Sequence, residues 1–315
     1  MKKFIILFIL IICFAFGGCK TFAENIKFIQ VTDCHLAKNS PYSQKVLKST
    51  IEDINTLDDV SFVVFTGDNV NYATEDDLKI FASIAKKLKV PYYVVIGNHD
   101  VYKTNGMPKS HYLAILRKSN IKIRQRKPNY KWRKKGFEFL IVDGAKEVIP
   151  GPAGYFRKDT LNWLDKTLTQ NRKRTVIIFQ HFPVEYPDGA KGRLKTHKTY
   201  KVEDYKAILD SHDNVLAVIS GHLHTNGENM KNGVYHISTP SLLGMPHSYK
   251  IIDIVTMKDF SPIIYTQLRE VEVKDTEQEV KPVTKIKVKN KNKTESKPEE
   301  EETETRPETD LETEN

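Results

Sequence analysis

Gly97-Asn98-His99-Asp100 sets an amide, an imidazole and a carboxylate on one short turn. The turn follows Tyr92-Tyr93-Val94-Val95-Ile96, an aromatic and β-branched run that predicts a buried strand. Four further apolar runs end in groups of the same kind. Phe28–Val31 leads into Thr32-Asp33-Cys34-His35, and Phe62–Phe65 leads into Thr66-Gly67-Asp68-Asn69. Val176–Phe179 leads into Gln180-His181, and Val215–Ile219 into Ser220-Gly221-His222-Leu223-His224. In open α/β sheets, ligand sites gather at the carboxyl ends of strands, so these tips are expected to converge.

Together the tips offer two carboxylates (Asp33, Asp68), one amide oxygen (Asn98) and four imidazoles (His35, His181, His222, His224). One octahedral ion cannot use all of these and keep an open position for chemistry. Two divalent ions sharing a bridging carboxylate can. Two such ions and two carboxylates leave the site positive, which suits an anionic substrate, phosphate first among candidates. Mixed nitrogen and oxygen donors exclude an iron–sulfur cluster and do not suit calcium, whereas manganese, iron or zinc fits.

Asp33-x-His35, Gly67-Asp68, Gly97-Asn98-His99-Asp100, His181 and Gly221-His222-x-His224 resemble, in order and separation, the calcineurin-like metallophosphoesterases. The resemblance covers about Lys27 to Thr256 and implies a β-sandwich with flanking helices. It implies that Asp33, His35 and His224 hold one metal, that Asn98, His181 and His222 hold the other, and that Asp68 bridges them. His99 would stabilise the phosphoryl transition state and protonate the leaving oxygen, with Asp100 orienting it, while a metal-bound hydroxide attacks phosphorus in line. The metal-binding tyrosine of purple acid phosphatases has no counterpart, since Asn71 stands at its position and Tyr72 falls one residue late. The motif style is closer to the bacterial cyclic-nucleotide phosphodiesterase-like branch. The substrate implied is a small phosphoester, a diester more than a monoester. The alternative is a catalytically silent envelope scaffold or anion-binding protein on the same fold.

The elements that would carry these tips alternate between strand and helix. Ser40-Pro41 opens a helix to about Leu57, and Thr74 caps a second with Asp77 as capping-box partner. With strands at 28–31, 62–66 and 92–96, the start is βαβαβ and predicts parallel pairing. One helix is expected near His111–Lys118 and another over Asp159–Leu168. Val184–Tyr200 is expected to be a loop, long enough to be functional. Strands at 234–238, 250–255 and 262–268 predict a more antiparallel second half. The fold class is α/β, two sheets face to face between helices.

The chain of 315 residues carries a net charge of +9 and is 39% hydrophobic. Lys2-Lys3 followed by the apolar run Phe4–Phe16 reads as an export signal over residues 1–23. Two processing routes are open: cleavage after Thr21-Phe22-Ala23, which is favoured, or lipidation of Cys19 within Phe16-Gly17-Gly18-Cys19. The domain is expected over 24–270, followed at 271–315 by a disordered tail, lysine-rich and then acidic. Membrane contact is expected only with a lipidated Cys19, nucleic acid is not expected as a partner, and the sequence does not fix the oligomeric state. Cys34 is read as a small buried residue rather than a nucleophile. His197 and His247 are lesser candidates for substrate contact.

Overall fold

The structure is a computed structural model that describes residues 24–101, 107–120, 124–147, 151–187, 190, 194–257 and 261–273. The expected leader and nearly all of the expected tail lie outside these residues. Val271 is buried, and its amide donates to the His247 carbonyl.

Five strands form one sheet in the order β11-β10-β1-β2-β3: β1 (Ile26–Val31), β2 (Val60–Phe65), β3 (Tyr92–Val94), β10 (Ser248–Val255) and β11 (Ile263–Glu270). Six form the other in the order β4-β5-β6-β7-β9-β8: β4 (Tyr130–Lys134), β5 (Phe137–Ile141), β6 (Val176–Phe179), β7 (Val215–Ser220), β8 (Gly227–Lys231) and β9 (Val234–Ser238). Helices α1 (Pro41–Ile54), α2 (Glu75–Ala85), α3 (Lys109–Ser119), α4 (Lys158–Gln170), the single turn α5 (Leu194–His197) and α6 (Glu203–Asp210) connect them.

As expected, β1, β2 and β3 are parallel. The second half is mixed: β10 pairs antiparallel with β1 and β11, yet β9 runs parallel to β7 because β8 intervenes as a return strand. β8 reads GENMK and is largely exposed, so it lacks the alternation that marks a half-buried strand. The capping box is only half formed. Thr74 Oγ1 accepts from the Asp77 amide, but the Asp77 carboxylate accepts from the Lys38 amide instead.

Alternation along the strands divides the apolar side chains between two layers. Ile29, Val31, Val63 and Phe65 turn outward beneath the helices. Phe28 and Phe62 turn inward and meet Phe139 and Phe179 of the facing sheet, with ring centroids 5.0 to 6.4 Å apart. Trp132 joins this layer, stacked on Tyr93 at 3.9 Å. At the carboxyl rim the inward position of β1 is Gln30. Its side-chain amide donates to Thr66 Oγ1 in its own sheet and to the Ser220 carbonyl of the other, and its oxygen accepts from Thr239. The apolar interior thus closes beneath the five tips with a satisfied polar seam that ties the two sheets together.

Candidate metal centre

Three tips come from one sheet and two from the other, and all five exit carboxyl ends of parallel strands. Asp33, His35, Asp68, His222 and His224 have φ between 39° and 71°, the left-handed region. Non-glycine residues occupy this region at a cost of about 1–3 kcal/mol each and persist where surrounding structure dictates it. The left-handed turns let successive side chains point back across the strand ends instead of alternating away.

The result is a close cluster. His35 Nε2 and His224 Nε2 lie 3.3 Å apart, with Asp33 Oδ1 3.1 Å from His224 Nε2 and 3.8 Å from His35 Nε2. His181 Nε2 lies 3.2 Å from His222 Nδ1, 3.3 Å from Asn98 Oδ1 and 3.3 Å from Asp68 Oδ2. Asp68 Oδ2 also stands 4.0 Å from His35 Nε2, which puts this carboxylate between the two groups. The seven residues read from the sequence as metal ligands are therefore brought together, with Asp68 between the His35–His224 pair and the His181–His222 pair.

The far nitrogens of two rings are fixed. His181 Nδ1 lies 2.8 Å from the Thr66 carbonyl, and His222 Nε2 lies 3.0 Å from the His197 carbonyl. A carbonyl can only accept, so these nitrogens carry the protons and the facing pair, His181 Nε2 and His222 Nδ1, present lone pairs to each other. Lone pairs held 3.2 Å apart beside carboxylates need a cation between them. In the metal-free molecule a proton serves. Burial disfavours the charged His181 ring, but Asp68 and Asp33 more than offset this and raise its pKa to about 9. Burial and the neighbouring His181 charge push His222 down to about 3. Burial likewise opposes the charge of Asp33 and Asp68, yet the surrounding imidazoles hold both well below the usual carboxylate range. The donor set thus fits divalent ions bound by imidazole and carboxylate.

His99 sits at the edge, its ring 4.6 Å from that of His35 and its nitrogen within reach of Asp68. Its Nδ1 is 3.1 Å from the Asn71 carbonyl and its amide donates to Asp68 Oδ1. Asp100 ties two turns together. Its buried carboxylate accepts from the amides of Gly97, Asn69 and Val70 and from the Asn69 side chain, strapping the 97–100 turn to the 67–70 turn. The Asn71 carbonyl contacts the His99 ring at Nδ1. Burial and the charge of Asp68 raise the Asp100 pKa to about 7.

Two glycines make the close approach possible. A Cβ on Gly97 would strike the Asp68 amide and carboxylate, with Cγ at 2.9 Å, and one on Gly67, at φ 100°, would strike the His181 ring with its Cγ at 2.6 Å. Cys34 is buried, and burial together with the Asp33 charge raises its thiol pKa, against a nucleophilic role. His247 is held between Tyr42 Oη and the Leu242 carbonyl. Spacing alone gave no signal for the His197 carbonyl and the Asn71 carbonyl as outer supports, because both act through backbone.

Gly97→Ala is expected to displace Asp68 and reduce turnover by roughly 10²-fold, with a matching loss of bound metal by elemental analysis and an unchanged far-UV spectrum. The metal-free protein should lose stability as pH rises from about 6.5, the ordinary histidine value, to about 9, since the folded state alone retains the His181 proton in that window. Below it both states are protonated and the contribution is fully present. Urea unfolding in chelator across this range, with His181→Leu removing the slope, measures it.

The family model for calcineurin-like phosphoesterases matches residues 26–226. A protein of Arcobacter nitrofigilis named "Probable glycerophosphodiester phosphodiesterase GpdQ" is 26% identical, over 68% of this chain and 77% of its own length. The 3',5'-cyclic adenosine monophosphate phosphodiesterase CpdA of Haemophilus influenzae is 24% identical, over 69% and 76%. Among solved structures, a dimetal phosphatase from Danio rerio superposes with a TM-score of 0.61 at 18% identity, covering 78% of this chain and 99% of that one. The chain belongs to the calcineurin-like phosphoesterases, metal-dependent hydrolases of phosphate esters.

Proposed function

We propose that this chain is an exported two-metal phosphodiesterase. The observation that carries the proposal is the paired convergence of His35 with His224 and of His181 with His222 on either side of Asp68. Asp33, His35 and His224 would hold one ion, Asn98, His181 and His222 the other, and Asp68 would bridge. Bound divalent ions supply Lewis acidity toward phosphoryl oxygens and a water of lowered pKa. The chain's own groups do the rest. Two carboxylates leave such a centre net positive, so an anionic phosphoester is drawn to it. The Asn71 carbonyl holds the Nδ1 proton of His99, so the imidazolium form would give its second proton, on Nε2, to the departing alkoxide and be left as the Nδ1–H imidazole. The Asp100 strap keeps the two turns that carry Asp68, Asn98 and His99 in one geometry. Preference for a diester rests on the names of the relatives above. Export rests on Lys2-Lys3 and the apolar run Phe4–Phe16.

On a diester with a poor leaving group, His99→Ala should keep its metal content and lose about 10²–10⁴ in kcat, while an aryl ester with a stable leaving group is affected less. Asp68→Asn should abolish turnover of both. Full retention of activity by His99→Ala on the poor leaving group overturns the role of His99, and metal uptake without turnover across mono- and diesters overturns the catalytic proposal. For export, N-terminal sequencing of protein recovered outside the cytoplasm should begin at Glu24 or at a blocked Cys19, and an intact Met1 in the cytoplasm is the contrary result.

A further inference from the structure

The end of the sandwich opposite the metal-ligating tips carries a basic face that phosphoester hydrolysis does not use. The helical crossovers return the chain to the amino ends of the strands, through Lys87 and Lys89 before β3 and through Arg172, Lys173 and Arg174 before β6. The β4–β5 hairpin turns at the same end, at Lys135. Three contacts make this a continuous surface across both sheets. Lys89 Nζ donates to the Asn55 carbonyl, Lys134 Nζ to the Ser61 carbonyl at the start of β2, and Arg133 Nη2 to Asn171 Oδ1 beside Arg172. A groove of about 340 Å³, lined by Arg172, Lys173, Arg174 and Asp213, opens in it. Asp58, Asp59, Asp213, Glu24 and Glu138, the last paired with Arg133, are interspersed and leave the end net positive.

The start of the described chain lies in the same face. The Glu24 amide donates to the Lys135 carbonyl, and Lys135 Nζ donates to the Asn25 carbonyl. Upstream stand Lys2-Lys3, the apolar run Phe4–Phe16 and the short stretch 17–23. That stretch reaches no more than about 25 Å when fully extended. On the lipidated route, in which Cys19 is kept, the membrane that holds its lipid is therefore confronted by this end of the domain.

We propose that the basic end is a docking face for anionic phospholipid headgroups, which directs the metal-ligating end away from the bilayer. Exposed lysine and arginine within a Debye length of an anionic leaflet, about 8 Å at physiological salt, add to binding charge by charge without a fixed pocket. Single-stranded nucleic acid fits less well. Trp132, the aromatic ring of β4 nearer this end, is stacked on Tyr93, and Tyr130 lies at the other end of the strand beside Ile141, so neither offers a platform for bases here.

The test is hydrogen exchange on the full chain in phosphatidylcholine vesicles with and without phosphatidylglycerol. Amides of residues 133–136 and 171–175 should exchange about threefold or more slowly on the anionic vesicles, with residues 67–71 and 97–101 unchanged. R172E/K173E/R174E should remove the difference while keeping the parent thermal transition, and K87E/K89E gives an independent variant should the first fail to fold. Equal exchange on both vesicles, a difference that survives both variants, or stronger protection by a single-stranded oligonucleotide than by phosphatidylglycerol overturns the proposal. None of these readouts requires turnover, so failure of the phosphodiesterase proposal is seen separately.

Discussion

The structure depends on one electrostatic demand: ring nitrogens of four histidines are held near one another and near two carboxylates, in a place from which water is largely excluded. Such an arrangement is unstable on its own terms. The far nitrogens of His181 and His222 are tied to carbonyls, so the near ones cannot trade protons to relieve the crowding. Only positive charge between them makes the geometry favourable, and a raised His181 pKa is what remains of that demand when protons must meet it. The left-handed turns at the strand ends, the glycines that let Asp68 and His181 approach backbone, and the Asp100 strap all follow as means of holding these groups against their tendency to separate.

Beneath the centre, the sandwich provides rigidity in two different ways. The Phe28, Phe62, Phe139 and Phe179 rings fill the space between sheets by shape and area, without directional bonds. At the rim, where the interior gives way to charge, the connection becomes directional: Gln30 and Thr66 span the sheets by hydrogen bonds. An apolar residue at Gln30 would leave the Ser220 carbonyl buried without that partner, at a cost comparable to a lost hydrogen bond. The change from packing to bonding along one strand marks where stability hands over to function.

Much of this was legible in the sequence, for a reason particular to parallel sheets. A buried strand announces itself as an unbroken apolar run, and Asp33, Asp68, Asn98, His181 and His222 each stand directly after one. What was not legible acted through backbone or through exposed polar residues. The Asn71 and His197 carbonyls have no residue type to betray them. β4 and β8 are edge strands: in β4 the inward Tyr130 and Trp132 alternate with Lys131 and Arg133 inside a basic stretch, and Gly227–Lys231 shows no pattern of period two. The resemblance gave Asp100 a role toward His99, and no residue spacing announced that its carboxylate also accepts from the Asn69 and Gly97 amides.

The His197 carbonyl ties the long β6–α6 connection to the imidazole of His222. Connections of this length are where substrate preference usually diverges among enzymes that share a fold. Here the same segment fixes the tautomer of His222, a ring of the candidate metal centre, and in metal sites outer supports of that kind tune how tightly an ion is held. A loop exchange in this segment would therefore also remove the carbonyl that faces His222 Nε2 and disturb that ring's setting.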